Sequence, residues 1–303
     1  TIVTAGLVQK MTGTSLSAPE ISTILLTICF VILLIGKFNL LDNLMKVIMV
    51  ILSISTIGAF ILSFGIEHTH TLSDAAIFNI QNKEDLGFLL AFVGWMPAPL
   101  DIAIWHSIWA LSAPKGADKS QFDFKVGFYG TALLGICFVV LGANTMYGTG
   151  STIAASAGGF ASQLVDAFTT ALGAWSYWFI ILAAFTTMFS TTLTCFDAMP
   201  RVMNHVAKEL KSQAADTTHT WRVILGIGAL LLLFFWASNM KEMVTLATVV
   251  SFLTAPFLAV LSYRLVALES AQHQLWSTSE KRLALVGIIL LFLFSFQYIA
   301  YML

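Results

Sequence analysis

The chain is 303 residues long, 58% hydrophobic and only 10% charged, with a formal net charge of -1. A water-soluble domain carries roughly a quarter charged residues, so these proportions exclude one, and the near-zero balance gives no case for nucleic-acid binding. What remains is an all-α chain whose solvent and constant partner is the lipid bilayer.

An apolar run of about 20 residues is long enough to cross roughly 30 Å of hydrocarbon as a helix. The opening stretch "TIVTAGLVQ", residues 1–9, reads as the tail of such a span and starts on Thr1 instead of methionine, so the chain is expected to be the C-terminal part of a longer protein. Full spans are predicted at 20–36, 43–65, 86–111, 124–147, 168–199, 222–238, 243–266 and 283–303, eight in all. Between them lie an acidic loop at 66–85, a Gly/Ser/Ala-rich loop at 149–167 and a basic loop at 200–221, none long enough for a soluble domain. Residues 1–303 are therefore read as a single transmembrane domain.

Lys37 and Lys46, then Lys115, Lys119 and Lys125, then Arg201, Lys208, Lys211 and Arg222, then Arg264, Lys281 and Arg282 fall in every second connection, leaving only Lys10, Lys83 and Lys241 for the others. The positive-inside rule makes the basic set cytoplasmic and the C-terminus external. A multi-pass protein of the bacterial inner (plasma) membrane is the expectation. Cys29, Cys137 and Cys195 sit inside spans without C-x-x-C spacing and read as small apolar packers. No H-E-x-x-H, G-x-S-x-G or P-loop pattern occurs, so the chain is not read as an enzyme, and no resident cofactor is expected.

The third span contains "GWMPAPLDIAIWHS", residues 94–107. Pro97 and Pro99 each remove a backbone donor and crowd the carbonyl four residues back. In a bilayer such a break survives only where it is buried in protein or lines a cavity, and transporters use unwound turns of this kind to hold ions and polar substrates. Residues 93–99 are therefore predicted to be unwound. Pro256 marks a second helix break, in "SFLTAPFLAV" at 251–260. Asp101 is costly in hydrocarbon and functional by default; with His106 it forms a candidate proton or polar pathway.

"VGWMPAPLDIAIWHS" resembles the sixth transmembrane segment of the Nramp family of divalent metal transporters, whose hallmark is a Met-Pro-His break followed by a His-Ser pair; here Met96, Pro97, His106 and Ser107 correspond. "SFLTAPFLAV" is similar to the family's tenth segment, where a polar residue, usually Gln, stands two before a Pro-Phe pair: Thr254, Pro256 and Phe257. With the opening run as the end of segment three, the eight spans become segments four to eleven, and the sidedness agrees. The resemblance implies a LeuT-like helical bundle of the APC superfamily, here truncated to about eight full helices plus the end of another. It implies secondary transport by alternating access, with the metal ion at the broken helix. Met96 offers its thioether, Val93 its backbone carbonyl and Thr254 a hydroxyl, directly or through water. Soft sulfur favours Mn²⁺ or Fe²⁺ over Mg²⁺, and protons are the implied coupling partner. Ala98 stands where the family has histidine, and the His106-Ser107 pair lies further from Met96 than the family pattern has it, which an insertion around Pro99 reconciles. These departures leave the metal, Mg²⁺ included, and the coupling open.

Other readings stay open: a permease of the same fold for an organic solute such as an amino acid, and a non-transporting sensor or structural subunit. Elsewhere, Asp197 and Arg201 read as an ordinary i, i+4 pair, and Thr187, Thr191 and Thr194 either line a polar path or bond back to their own helix. Gly127, Thr131 and Gly135 repeat as a close-packing face, and Trp175, Trp221 and Trp276 read as interface anchors.

Overall fold

The computed structural model describes residues 1–35, 38–66, 78–79, 82, 85–86, 89, 101–112, 117–146, 154, 156–210, 216–236, 240–273 and 277–302. Among them every element is helical: α1 (Ile2–Thr12), α2 (Ala18–Ile35), α3 (Phe38–Ser63), α4 (Asp101–Ser112), α5 (Ala117–Met146), α6 (Ala157–Leu172), a 3-10 turn (Ala174–Ser176), α7 (Tyr177–Leu210), α8 (Thr218–Trp236), α9 (Met240–His273) and α10 (Thr278–Met302). Among the described residues six stretches are long and apolar enough to cross a bilayer: Ala18–Ile35, Gln121–Met146, Ala174–Leu210, Thr218–Phe235, Thr245–Leu268 and Thr278–Ala300. They coincide with six of the eight predicted spans. Of the other two, 43–65 falls in α3, whose side chains are described only in part, and most of 86–111 lies outside the described residues. Trp175 is exposed beside the start of α7, whereas Trp276 also lies outside the described residues.

Helix starts follow from local chemistry. At α2 the Ser17 N–H and hydroxyl both donate to Glu20 Oε2 at 2.7 Å. At α10 the Ser277 N–H donates to Glu280 Oε2 at 2.8 Å while Glu280 N–H donates back to Ser277 Oγ at 3.3 Å. This reciprocal pairing satisfies donors that a helix start leaves open.

The chain divides into two compact units. The first comprises Thr1–Asp74 and Ala110–Lys241. In it α2 packs on α1, α7 and α8, α7 packs on α1 and α8, and α3, α5 and α6 pack around them. One core joins Leu7 of α1, Ala59 of α3, Leu141 of α5, Ala161, Val165 and Phe168 of α6, and Ile180, Ile181 and Ala184 of α7. Here the fold departs from the expected boundaries. The stretch 168–173 is not the beginning of a span: α6 is a separate helix, ended by Gly173 at φ 95°, a backbone conformation open to glycine and strained for other residues. The turn that follows is fastened by Ser176 Oγ donating to the Gly173 carbonyl at 2.8 Å, and α7 starts from there. The Gly127 and Gly135 positions on α5 meet no neighbour within 4 Å and Thr131 is exposed, so this small-residue face is not a close helix contact among the described residues.

The second unit comprises Ala75–Trp109 and Glu242–Leu303. Phe252 of α9 and Tyr298 of α10 meet edge-to-face at 6.2 Å, with Leu86, Val249 and Phe294 against them. The break expected at Pro256 is absent, because α9 continues as helix through this residue. Pro256 cannot donate to the carbonyl four residues back, Phe252. The buried Ser295 hydroxyl of α10 donates to that carbonyl across a long 3.5 Å, so the helix keeps going with its freed acceptor met from outside.

Candidate functional site

The residues on which the sequence places the ion fall unevenly in the structure. Val93, Met96, Pro97 and Pro99 lie outside the described residues. Asp101 is the first residue of α4, and its side chain is likewise outside them. His106 is half-buried and engaged by a neighbour, next to Ser107, whose hydroxyl bonds back to the Ile104 carbonyl at 2.7 Å. Five residues apart on a helix, positions 101 and 106 are turned about 140° from each other. On α4 itself they therefore do not share a face.

Thr254 is fully described. It is exposed on α9, and its hydroxyl donates to the carbonyls of Val250 and Ser251, both at 3.0 Å. The donor is thus spent within the helix, while the hydroxyl oxygen keeps its lone pairs. A cation is bound through lone pairs, so the back-bond orients the oxygen as an acceptor instead of disabling it.

In the first unit the threonines of α7 divide. Thr191 bonds back to the Thr187 carbonyl at 3.0 Å, whereas the Thr187 hydroxyl turns out of its helix to Met49 Sδ of α3 at 3.8 Å. Nearer the end of α7, Arg201 Nε donates to Asp197 Oδ2 at 2.8 Å, the i, i+4 pair that the spacing anticipates. The structure adds Arg222 of α8, whose Nη2 stands 3.5 Å from Asp197 Oδ1. Asp197 and Arg222 are only 5% and 4% exposed, so this is a buried charge cluster with two guanidinium groups on one carboxylate. Arg222 Nη1 also lies 3.3 Å from His219 Nδ1. Arginine has no acceptor, so Nδ1 accepts. Arg222 Nε has no hydrogen-bond partner among the described residues. The same end is closed by Asn204 Oδ1, which accepts from the Thr217 N–H at 2.9 Å and its hydroxyl at 3.1 Å. Asp216 accepts the Thr218 N–H at 2.9 Å, and bonding first from the Thr218 side chain and then from its backbone holds its carboxyl below the usual carboxylate range.

From sequence alone Arg222 counts only as one of the basic residues of a connection. The signal that could have found it is its position: an arginine immediately after Trp221 at the head of an apolar run must either reach an interface or find an acid.

The Nramp family profile, described as natural resistance-associated macrophage protein-like, matches residues 3–302. The chain belongs to the Nramp family. An uncharacterized protein of Pasteurella multocida (strain Pm70) is similar, 30% identical over 299 residues that cover 93% of this chain and 66% of that protein. This Nramp chain therefore spans just under two thirds of the length of that relative. No solved structure matches it. As an Nramp chain it is an integral, multi-pass membrane protein with the LeuT-like helical fold, consistent with the six helices long and apolar enough to span among the described residues.

Proposed function

We propose that this Nramp chain takes part in secondary transport of divalent metal cations, with Mn²⁺ and Fe²⁺ as the favoured cargo, moved by alternating access. The observation that carries the reading is the family match over residues 3–302, since members of that family are transporters and not enzymes. The chain's own residues fit the chemistry. Met96 supplies a soft thioether, the donor that separates a transition metal from the harder Mg²⁺, and the Val93 position adds a carbonyl oxygen. Thr254 supplies a hydroxyl oxygen whose proton is already committed to its own helix at 3.0 Å. A threonine side chain is short, so the oxygen reaches the ion through water. Asp101 and His106 carry protons alongside the metal, and the protein works in the bacterial inner membrane.

The test is metal uptake by liposomes holding the full-length protein. Thr254→Val keeps the shape and removes the oxygen, and is expected to lower metal affinity roughly tenfold, equivalent to about 1.4 kcal/mol. Wild-type uptake by Thr254→Val removes this residue from the site. Uptake of amino acids in place of Mn²⁺ overturns the substrate class.

A further inference from the structure

By the alternation of basic loops, helix α6 (Ala157–Leu172) falls on the side opposite them, and two sets of contacts hold it to other helices. On its inner face Ala161, Val165 and Phe168, spaced four and three apart, are 0–2% exposed. They share one core with residues of α1, α3, α5 and α7. Phe168 also meets Phe138 of α5 edge-to-face at 5.5 Å.

A polar clamp closes one flank. Lys10, in the last turn of α1, donates to the Ser162 carbonyl at 3.2 Å, to Ser162 Oγ at 2.7 Å and to Asp166 Oδ1 at 3.0 Å, and its ammonium sits 5.7 Å from the centre of the Tyr177 ring. Three N–H groups have three oxygen acceptors, which saturates the ammonium. By the positive-inside rule Lys10 is also one of only three basic residues on its side of the membrane, and it spends its charge on this contact.

Both ends are capped within the segment. Ser156 Oγ accepts the Gly159 N–H at 3.2 Å, and Gln163 Oε1 accepts the Ala154 N–H at 2.9 Å, tying the incoming chain to the helix. At Gly158 an added Cβ would stand 3.3 Å from Oε1 of the Gln9 side chain, so an α1 side chain covers this end of α6. At the far end the Gly173 N–H donates to the Thr169 carbonyl at 2.8 Å.

A gate needs two positions of similar free energy. A helix that contributes three central residues to a shared core, and whose flank is clamped to α1 by Lys10, has one. We propose that α6 is a fixed strap: it stays with α1, α3, α5 and α7 as one rigid body throughout any transport cycle, and Lys10 is the residue that locks it to α1.

Spin labels at Thr12→Cys on α1 and Thr170→Cys on α6, both exposed positions, measure this directly by pulsed dipolar spectroscopy of the full-length protein in liposomes. One narrow distance, unchanged between metal-free buffer and saturating Cd²⁺, is the expected result. A second distance population, or a shift on adding Cd²⁺, overturns the strap. With Lys10→Met added, the same distribution should broaden; a distribution as narrow as before overturns the locking role of Lys10. Cadmium uptake by the same liposomes is scored separately: a chain that carries no cadmium counts against the transport reading, while the strap stands or falls on the distances alone.

Discussion

Asp197 takes one guanidinium from its own helix and one from the next, and the two differ in what their loss does. Arg201 has a 45% exposed side chain, where water screens the pair. The Arg222 side chain is 5% exposed and depends on Asp197 as its carboxylate partner. Removing one member of a buried pair leaves the other charge uncompensated, at about 3–5 kcal/mol, whereas an exposed pair contributes about 0–1 kcal/mol. Asp197→Asn is therefore expected to lower the thermal unfolding midpoint strongly, and Arg201→Gln only slightly. Equal shifts for the two variants would show that Arg222 finds its compensation elsewhere.

At the scale of the helix, α9 shows how a proline is accommodated without a break. The Pro256 ring leaves the Phe252 carbonyl unclaimed, and Ser295, 43 residues away on α10, comes to it. Ser295→Ala leaves this buried acceptor without its partner, which costs about 1–3 kcal/mol. Ser295→Thr keeps the hydroxyl and should recover most of the loss, both read as shifts in unfolding midpoint. If Ser295→Ala unfolds at the wild-type midpoint, the 3.5 Å contact contributes nothing. The same contact separates what a sequence can reveal from what it cannot. Spans were legible because apolar length is a local property; the starts of α2 and α10 are also written locally, in Ser17 with Glu20 and Ser277 with Glu280, but apolar length alone put them at 20 and 283. Continuity through Pro256 was not legible, since it rests on a partner in another span. Nor was α6: its Gly/Ser/Ala-rich beginning resembles a loop, and only the burial of Ala161, Val165 and Phe168 against four other helices makes it an element. Arg222 was missed for the same reason, its acid lying on the preceding helix. Of the candidate site, the residue types were legible as donors, but Thr254's committed hydroxyl became visible only in three dimensions.

For the whole molecule, the family match over residues 3–302, the spanning helices and the alternation of basic loops agree on a multi-pass Nramp chain. In the proposed function, the choice of metal cargo rests on a chemical asymmetry at one residue. Met96 is the only sulfur among the proposed donors, and sulfur discriminates between soft and hard cations where oxygen donors do not. The deciding measurement is the uptake of Mn²⁺, Cd²⁺, Mg²⁺ and Ca²⁺ by liposomes holding the full-length protein with and without Met96→Ala. A clearly larger loss for Mn²⁺ and Cd²⁺ than for Mg²⁺ and Ca²⁺ is expected if Met96 holds the ion; equal losses for all four, or none, would contradict that role and leave Met96 as a packing residue.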